Sequence, residues 1–429
     1  MEFMYSEKNK KLIVLDGFKF GFQKKLADDF ERWTCVKRKC KSYLKLNINT
    51  IVDKNIIHNH QKENDKTLNR QKLNNSSKRR AMEVLHERPA KIIHCELSKC
   101  DIETIDAQDL CRIRKNIHAS RCSTVPTLPK TLDETHNVLK NYNLMTNRGE
   151  HFLFINSAET NIIGFSCDSN LEVLREMKTV FIDGTFKSCP KFFYQLFTVH
   201  GVKNNHYVPL VFFLLPNKTS DTYTKAFRLI QNYLSPDKIY ADFERAIHVA
   251  ISEVWPLAQL KGCRFHLGQA WWRKIQQLGL SKEFKDKDSE VGGILKLFFG
   301  LSLLSPQEVS DCYINELMSL KPINEKLEDF FVYILENYID EDCLFPPTMW
   351  AEYTSSIERT TNCCESFHSK FNSCFYSAKP NIFQFIDVLK TIQIETYVKL
   401  RSTNKLQNFK SKNKEKFIKI EMDKYKSNE

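Results

Sequence analysis

Residues 179–216 read TVFIDGTFKSCPKFFYQLFTVHGVKNNHYVPLVFFLLP. Three apolar runs stand in this stretch, TVFIDGTF, FYQLFTVHGV and YVPLVFFLLP, parted by short polar turns. Runs of that length, rich in Val, Phe and Tyr, predict three consecutive strands. Upstream, HFLFINS and NIIGFSC read as two short strands and LEVLREM as a short helix. Downstream, TYTKAFRLIQNYL is amphipathic, with Ala226, Leu229, Ile230 and Tyr233 on one face of a helix. KIYADF then reads as a strand, RAIHVAISEVWP as a helix stopped near Pro256, QLKGCRF as a further strand and HLGQAWWRKIQQLG as a helix. The order from residue 179 is three strands, helix, strand, helix, strand.

Three acidic residues fall at telling places in that order. Asp183 lies in VFIDGTF, Asp242 lies in KIYADF, and Glu365 lies in TTNCCESFHSKFN, at a helix start. Each has an ordinary reading. Asp183-Gly184 fits a turn at a strand end, Asp242 fits the N-cap of the helix after it, and Asn362 with Glu365 fits a capping box. Their conjunction points elsewhere. The element order is that of a ribonuclease-H-like α/β domain, in which the strands carrying Asp183 and Asp242 are neighbours. Their carboxylates then converge at one sheet end. Two Asp and one Glu suit two Mg²⁺ or Mn²⁺ ions, which take carboxylates, phosphate oxygens and water. That chemistry belongs to nucleic-acid strands. Glu352 and Glu358 nearby are given no metal role. Cys263 and His266 form a C-x-x-H, too weak a signal for zinc, and read as a structural or DNA-positioning pair ahead of a metal role.

The flanks carry a second pattern. Trp33-Thr-Cys35, Cys40 and His58-Asn-His60 supply two Cys and two His, a set that encloses one Zn²⁺ tetrahedrally. Phe18, Phe20, Phe22 and Tyr43 surround them, in a unit too small to build much core without a metal. Lys37, Arg38, Lys39 and Lys41 lie between and beside the cysteines and would face phosphates, as would Arg79 and Arg80 further on. Residues 1–62 form this β-rich zinc unit. Residues 63–80, polar and charged, read as a linker, and residues 81–145 as a helical segment able to contact DNA. The α/β domain spans residues 146–390, with a helical insertion at about 281–347, and residues 391–429 read as a Lys-rich tail. Cys95, Cys100, Cys111 and Cys122 fit no zinc spacing and read as small buried residues.

The chain has 429 residues, 42% of them hydrophobic, and a formal net charge of +12. Its length fits about two or three domains, and its positive balance favours an anionic partner, nucleic acid first. The N-terminal residues MEFMYSEKNKKLIVLDG lack a sustained apolar h-region. No apolar run reaches membrane-spanning length. The fourteen cysteines therefore read as reduced thiols of an intracellular protein, a few of them metal ligands.

The blocks IDGTF, ADFERAIHVAISEVWP, GCRFH and TTNCCESFHSKFN closely resemble the Mutator-like element (MULE) transposases, over about residues 151–376. The segment from about residue 12 to 60 resembles a FLYWCH zinc finger. The resemblance implies that Asp183, Asp242 and Glu365 are DDE metal ligands, and that the activity is DNA cleavage followed by strand transfer. It also implies double-stranded DNA as partner (element ends and target), a homo-oligomer in the active complex, and the nucleus as location. The alternative from another class is a domesticated transposase that binds DNA as a chromatin or transcription factor and cuts nothing. A cellular nuclease acting on RNA–DNA hybrids fits less well, since nothing in it calls for the zinc unit.

Overall fold

The computed structural model describes residues 1–8, 10–354, 362–402 and 409–427. The chain folds into two compact units. The first holds Met1–Leu128 with Cys374–Tyr376 and Asn381–Asp387, and the second holds the remaining described residues.

The first unit opens with a six-stranded antiparallel meander, β1 (Glu2–Tyr5), β2 (Lys11–Leu15), β3 (Phe18–Lys25), β4 (Glu31–Cys35), β5 (Tyr43–Asn47) and β6 (Thr50–Asn55). Asp16-Gly17 turns β2 into β3, and both residues have positive φ (53° and 84°). Such a two-residue turn matches the right-handed twist of the strands it joins. One face buries Ile13, Phe20, Trp33, Leu44 and Leu46. That is a small core, as expected of a unit that leans on a metal.

Residues 63–80 are not a linker. They form most of α1 (Asp65–Glu83), which Asn64 caps by accepting from the Lys66 amide. Its buried stripe is Leu73, Ser77 and Ala81, four residues apart. Small and polar residues fill the stripe, so hydrophobic periodicity does not reveal it. α1 packs on α2 (Pro89–Leu97) and α3 (Ala107–Thr124) around Ile92, Ile93, Ile113 and Ile117. The helical segment expected over 81–145 is thus divided, because the first unit ends at Leu128. On α3 the buried face is Ile113, Ile117, Ser120 and Arg121. Cys111 and Cys122 are therefore exposed rather than buried, and Cys95 and Cys100 are only partly covered.

The second unit begins with α4 (Leu132–Asn141), β7 (Leu153–Ser157), β8 (Ile162–Phe165) and α5 (Asp168–Glu176). Then follow β9 (Thr179–Thr185), β10 (Gln195–Lys203), β11 (His206–Leu215), α6 (Ser220–Arg228), β12 (Lys238–Ala241), α7 (Arg245–Val254), β13 (Gln259–Gly262) and α8 (Arg264–Gln277). The seven strands form one mixed sheet in the order β13-β12-β9-β10-β11-β8-β7. β9, β10 and β11 are antiparallel, and β12 and β13 run parallel to β9 after helical crossovers. The expected order of elements is therefore the observed one. α6 is shorter than its amphipathic pattern suggests, since a 3₁₀ turn over Gln231–Tyr233 takes the last part. The strands expected in KIYADF and QLKGCRF stop at Ala241 and Gly262, the latter because Cys263 caps α8.

One face of this sheet buries Val180, Ile182, Phe197 and Ala241 among the residues of α6 and α7. The other face carries Phe181 stacked on Tyr240, at 5.1 Å between centroids, with Cys364. The expected helical insertion is present as α9 (Ser281–Lys285), α10 (Glu290–Phe298), α11 (Glu308–Asp311), α12 (Glu325–Ile334) and α13 (Pro347–Trp350). Phe298, Phe330, Phe331 and Ile334 form its core with Trp271 and Ile275 of α8. α14 (Asn362–Ser373), α15 (Ile382–Arg401) and α16 (Phe409–Ser427) complete the chain. The expected tail from 391 onward is corrected: residue 391 falls inside α15, where Leu389, Ile392 and Tyr397 are buried.

Candidate functional site

β9 carries Asp183 inside the strand, paired across to Thr198, so the turn reading does not hold. The parallel register sets Lys238 against Thr179, Ile239 against Val180 and Tyr240 against Phe181. β12 ends at Ala241, and Asp242 is the first residue past it, beside the part of β9 that carries Asp183. Asp242 does not cap α7, whose N-cap is Glu244. Its Oδ1 instead accepts from the Phe243 amide at 2.7 Å, and His248 Nε2 meets its carbonyl at 2.7 Å.

α14 brings Glu365 to the same end. Ligand atoms of Asp183, His266 and Glu365 all lie within 4.8 Å of one another. His266, in the first turn of α8, stands among the carboxylates: Nε2 is 2.9 Å from Glu365 Oε1, and Nδ1 is 3.4 Å from Asp242 Oδ1. Burial disfavours the imidazolium, but contacts with Cys263, Glu365 and Asp242 outweigh it and raise the ring to about 11. The His266 hydrogen bond in turn holds the Glu365 carboxyl below its ordinary value, against the opposing effect of burial. The C-x-x-H therefore belongs to the acidic centre. Cys263, the buried N-cap residue of α8, supports the ring from behind.

Among the described residues two buried polar atoms here have no hydrogen bond, Asp183 Oδ2 and His266 Nδ1. An orphaned carboxylate oxygen such as Asp183 Oδ2 is what a site for hard cations offers, and the His266 ring is a cation's stand-in among the carboxylates. The donor set fits divalent metal. Glu352 is engaged elsewhere, with Lys238 Nζ at 3.1 Å. Glu358 and the side chain of Asn362 lie outside the described residues.

Sequence reading missed three side chains. His368, one helical turn beyond Glu365, puts Nδ1 3.2 Å from Asp183 Oδ2. Thr198 and His200 on β10 lie behind it. The i, i+3 spacing in ESFH was a usable signal for His368. Thr198 could be found only through the hairpin register.

Cys35, Cys40, His58 and His60 converge in the first unit. A tetrahedron with Zn–S of about 2.3 Å and Zn–N of about 2.05 Å requires S···N near ~3.5 Å and N···N near ~3.3 Å. The observed separations are 3.2 Å (Cys35 Sγ to His60 Nε2), 3.4 Å (Cys40 Sγ to His58 Nδ1) and 3.3 Å (His58 Nδ1 to His60 Nε2). His60 Nδ1 lies 2.9 Å from the Gln61 carbonyl, which fixes Nε2 as the lone-pair nitrogen. His58 stacks flat on Phe18 at 3.6 Å. Burial works against the Cys40 thiolate, yet contacts with Ser42, Asn59 and Cys35 draw the thiol down to about 6. The four residues fit Zn²⁺.

Lys37, Arg38, Lys39 and Lys41 are exposed beside this cluster. Lys37 pairs with Glu63 at 3.4 Å. The two later arginines are differently placed. Arg79 lies 4.1 Å over the Tyr5 ring. Arg80 grips both Glu87 oxygens at 2.9 and 3.1 Å and Cys95 Sγ at 2.8 Å. Its fork is spent on joining α1 to α2, so Arg80 is corrected from a phosphate contact to an internal clamp. Among the described residues no helix is long and apolar enough to cross a membrane.

Residues 179–270 match the MULE transposase domain, and residues 3–60 match the FLYWCH zinc finger domain. No curated protein matches the chain. Among solved structures, the Drosophila P element transposase strand transfer complex matches at 14% identity, over 55% of this chain and 70% of that one. Its TM-score is 0.22, too loose a superposition to carry fold or function. The two matched segments coincide with the zinc cluster and with the stretch that holds Asp183 and Asp242, so the chain is similar to a FLYWCH zinc finger domain over residues 3–60 and to a MULE transposase domain over residues 179–270.

Proposed function

We propose that the chain is a DDE transposase that binds element ends in double-stranded DNA and carries out metal-dependent cleavage and strand transfer. The observation that carries this reading is the gathering of Asp183 and Glu365 at one end of the sheet around His266, whose ring also faces Asp242 at 3.4 Å. The sheet order and the two crossovers support a ribonuclease-H-like core. Asp183, Asp242 and Glu365 are the residues that would hold two Mg²⁺ or Mn²⁺ ions. Bound there, the cations supply Lewis-acid polarisation of a phosphodiester and neutralise its developing charge.

The chain's own residues prepare that site. Strand backbone fixes Asp183, the Phe243 amide and the His248 ring hold Asp242 just past β12, and α14 brings in the glutamate. His266 holds Asp242 and Glu365 together as a countercharge before cations enter. The loop of Arg38, Lys39 and Lys41 supplies phosphate contacts, which position DNA without reading its sequence. A homo-oligomer would hold two element ends at once, and the nucleus is where such a protein meets its substrate.

The test is incubation of the full chain with DNA carrying the element's terminal repeats, in Mg²⁺ or Mn²⁺, reading nicks and joined products. Metal-dependent cleavage at the repeat end supports the reading. A chain that binds this DNA and cuts it in neither metal leaves a DNA-binding factor without catalysis.

A further inference from the structure

Beneath α14 a chain of polar side chains runs into the sheet. Thr198, His200, His368 and Asp183 are 0%, 1%, 4% and 5% exposed. Thr198 and His200 lie two residues apart on β10 and so share a face. Opposite them on β9 stand Asp183 and Phe181. His200 Nε2 is 2.9 Å from the Thr198 hydroxyl, which is 3.0 Å from His368 Nε2, and His368 Nδ1 is 3.2 Å from Asp183 Oδ2. The same hydroxyl lies 3.1 Å from the Asp183 carbonyl. Phe367, on α14, packs its ring against His200 and Phe212 and closes the chain off.

Buried hydroxyl and imidazole groups cost stability unless they are paired, and valine or leucine would fill this space at lower cost. Their pairing here has a direction. A threonine hydroxyl owns one hydrogen and two lone pairs. Faced with two ring nitrogens and a carbonyl, it decides whether His368 Nε2 donates or accepts. That choice governs which face His368 Nδ1 turns to the Asp183 carboxylate. Gly184 meanwhile donates its amide to the other carboxylate oxygen, Oδ1, at 2.8 Å. One carboxylate oxygen is thereby held by backbone, while the other, Oδ2, rests against the His368 ring at 3.2 Å without a hydrogen bond.

We propose that His368, seated on the buried Thr198–His200 pair, is a positioning residue that fixes the Asp183 carboxylate for cation binding. This rests on the reading of Asp183 as a metal ligand. Partners of this kind behind a ligand set its orientation, and their loss commonly weakens metal binding about 10–100-fold.

The experiment is Mn²⁺ binding to the full, zinc-loaded chain, followed by calorimetry and by Mn²⁺ spin resonance without DNA. T198V keeps the shape and removes the hydroxyl, T198S restores the hydroxyl, and H368Q removes the ring. The expected result is Mn²⁺ affinity reduced about tenfold or more in T198V and H368Q, and within about twofold of the parent in T198S, with unchanged thermal unfolding. The T198S rescue separates orientation from mere filling of space. If D183N weakens binding while T198V and H368Q bind like the parent, the positioning role is overturned and the ligand reading stands. If D183N itself leaves Mn²⁺ binding unchanged, both fall.

Discussion

The cysteine–histidine cluster of the first unit and the acidic cluster of the second each gather ligand atoms within 4.8 Å, but by opposite means. In the first, soft ligands sit at the separations of a closed tetrahedron, locked by the Phe18 stack and by the Gln61 carbonyl. In the second, carboxylates lie at the end of a sheet around a histidine ring, with two buried atoms unsatisfied. The difference follows from what surrounds each. Ile13, Phe20, Trp33, Leu44 and Leu46 make too little core to hold the meander alone, so its site must also be its staple. The large sheet behind Asp183 and Asp242 is secured by its own core. Its site can stay open, because nothing in the fold depends on filling it.

The sharpest way to break this contrast is to remove one ligand from each cluster in the full chain. C35S or H60A should abolish zinc binding and unfold the meander, a loss on the order of 10 kcal/mol for that unit. Circular dichroism and zinc content should show the loss with the second unit's transition unmoved. A meander that keeps its structure without zinc would put the two clusters on the same footing.

D183N, D242N and E365Q should do the reverse. Each keeps shape and fold while lowering DNA cleavage by about 10³-fold or more, or about 4 kcal/mol of barrier. E352Q, whose carboxylate serves Lys238 and Tyr240, should cut like the parent. Melting temperatures that fall in step with cleavage would mean that the acids are structural.

His266 gives a smaller effect, visible without DNA. Its pKa is raised in the folded chain from 6.5 to about 11. The native state therefore keeps a proton that the unfolded chain releases. The stability this adds is fully present below about pH 6.5 and is lost as pH rises through about 11. In Mg²⁺- and Mn²⁺-free buffer, the second unit of the parent should lose stability over that window, and H266N should show a flatter profile. Equal slopes would remove His266 from the acidic centre.

The smallest expected change concerns the basic loop. R38Q with K39Q should weaken DNA binding and flatten its salt dependence by about 0.9 log unit of slope per lost phosphate contact. R80Q should leave that slope alone and instead loosen the α1–α2 junction that Arg80 clamps. A changed slope in R80Q would restore it as a phosphate contact.

Much of this was legible in the chain itself. Continuous apolar runs between polar turns set β9, β10 and β11. The strand–helix alternation after them set the parallel crossovers and so the adjacency of β9, which carries Asp183, and β12, which ends just before Asp242. The Cys and His spacing near the N-terminus gave all four members of the zinc cluster. α1 escaped because its buried stripe is Leu73, Ser77 and Ala81, which carries almost no hydrophobic signal. Arg80 was misplaced because sequence counts charge and not partners, and Glu87 lies seven residues on.

What the sequence alone determined is therefore what lies in local spacing: the ligand types, the strand order, and the three acids spread over residues 183 to 365. Only the tertiary structure decided which histidines matter. His266 and His368 come from α8 and α14, far apart in the chain, and meet Asp242, Glu365 and Asp183 through the packing of those helices at the sheet end. Thr198 reaches His368 only because β10 pairs with β9 in one register, and a one-residue slip would turn the hydroxyl to the opposite face. Charge and polarity are local properties of a chain, whereas the partner of a buried polar group is a property of its packing.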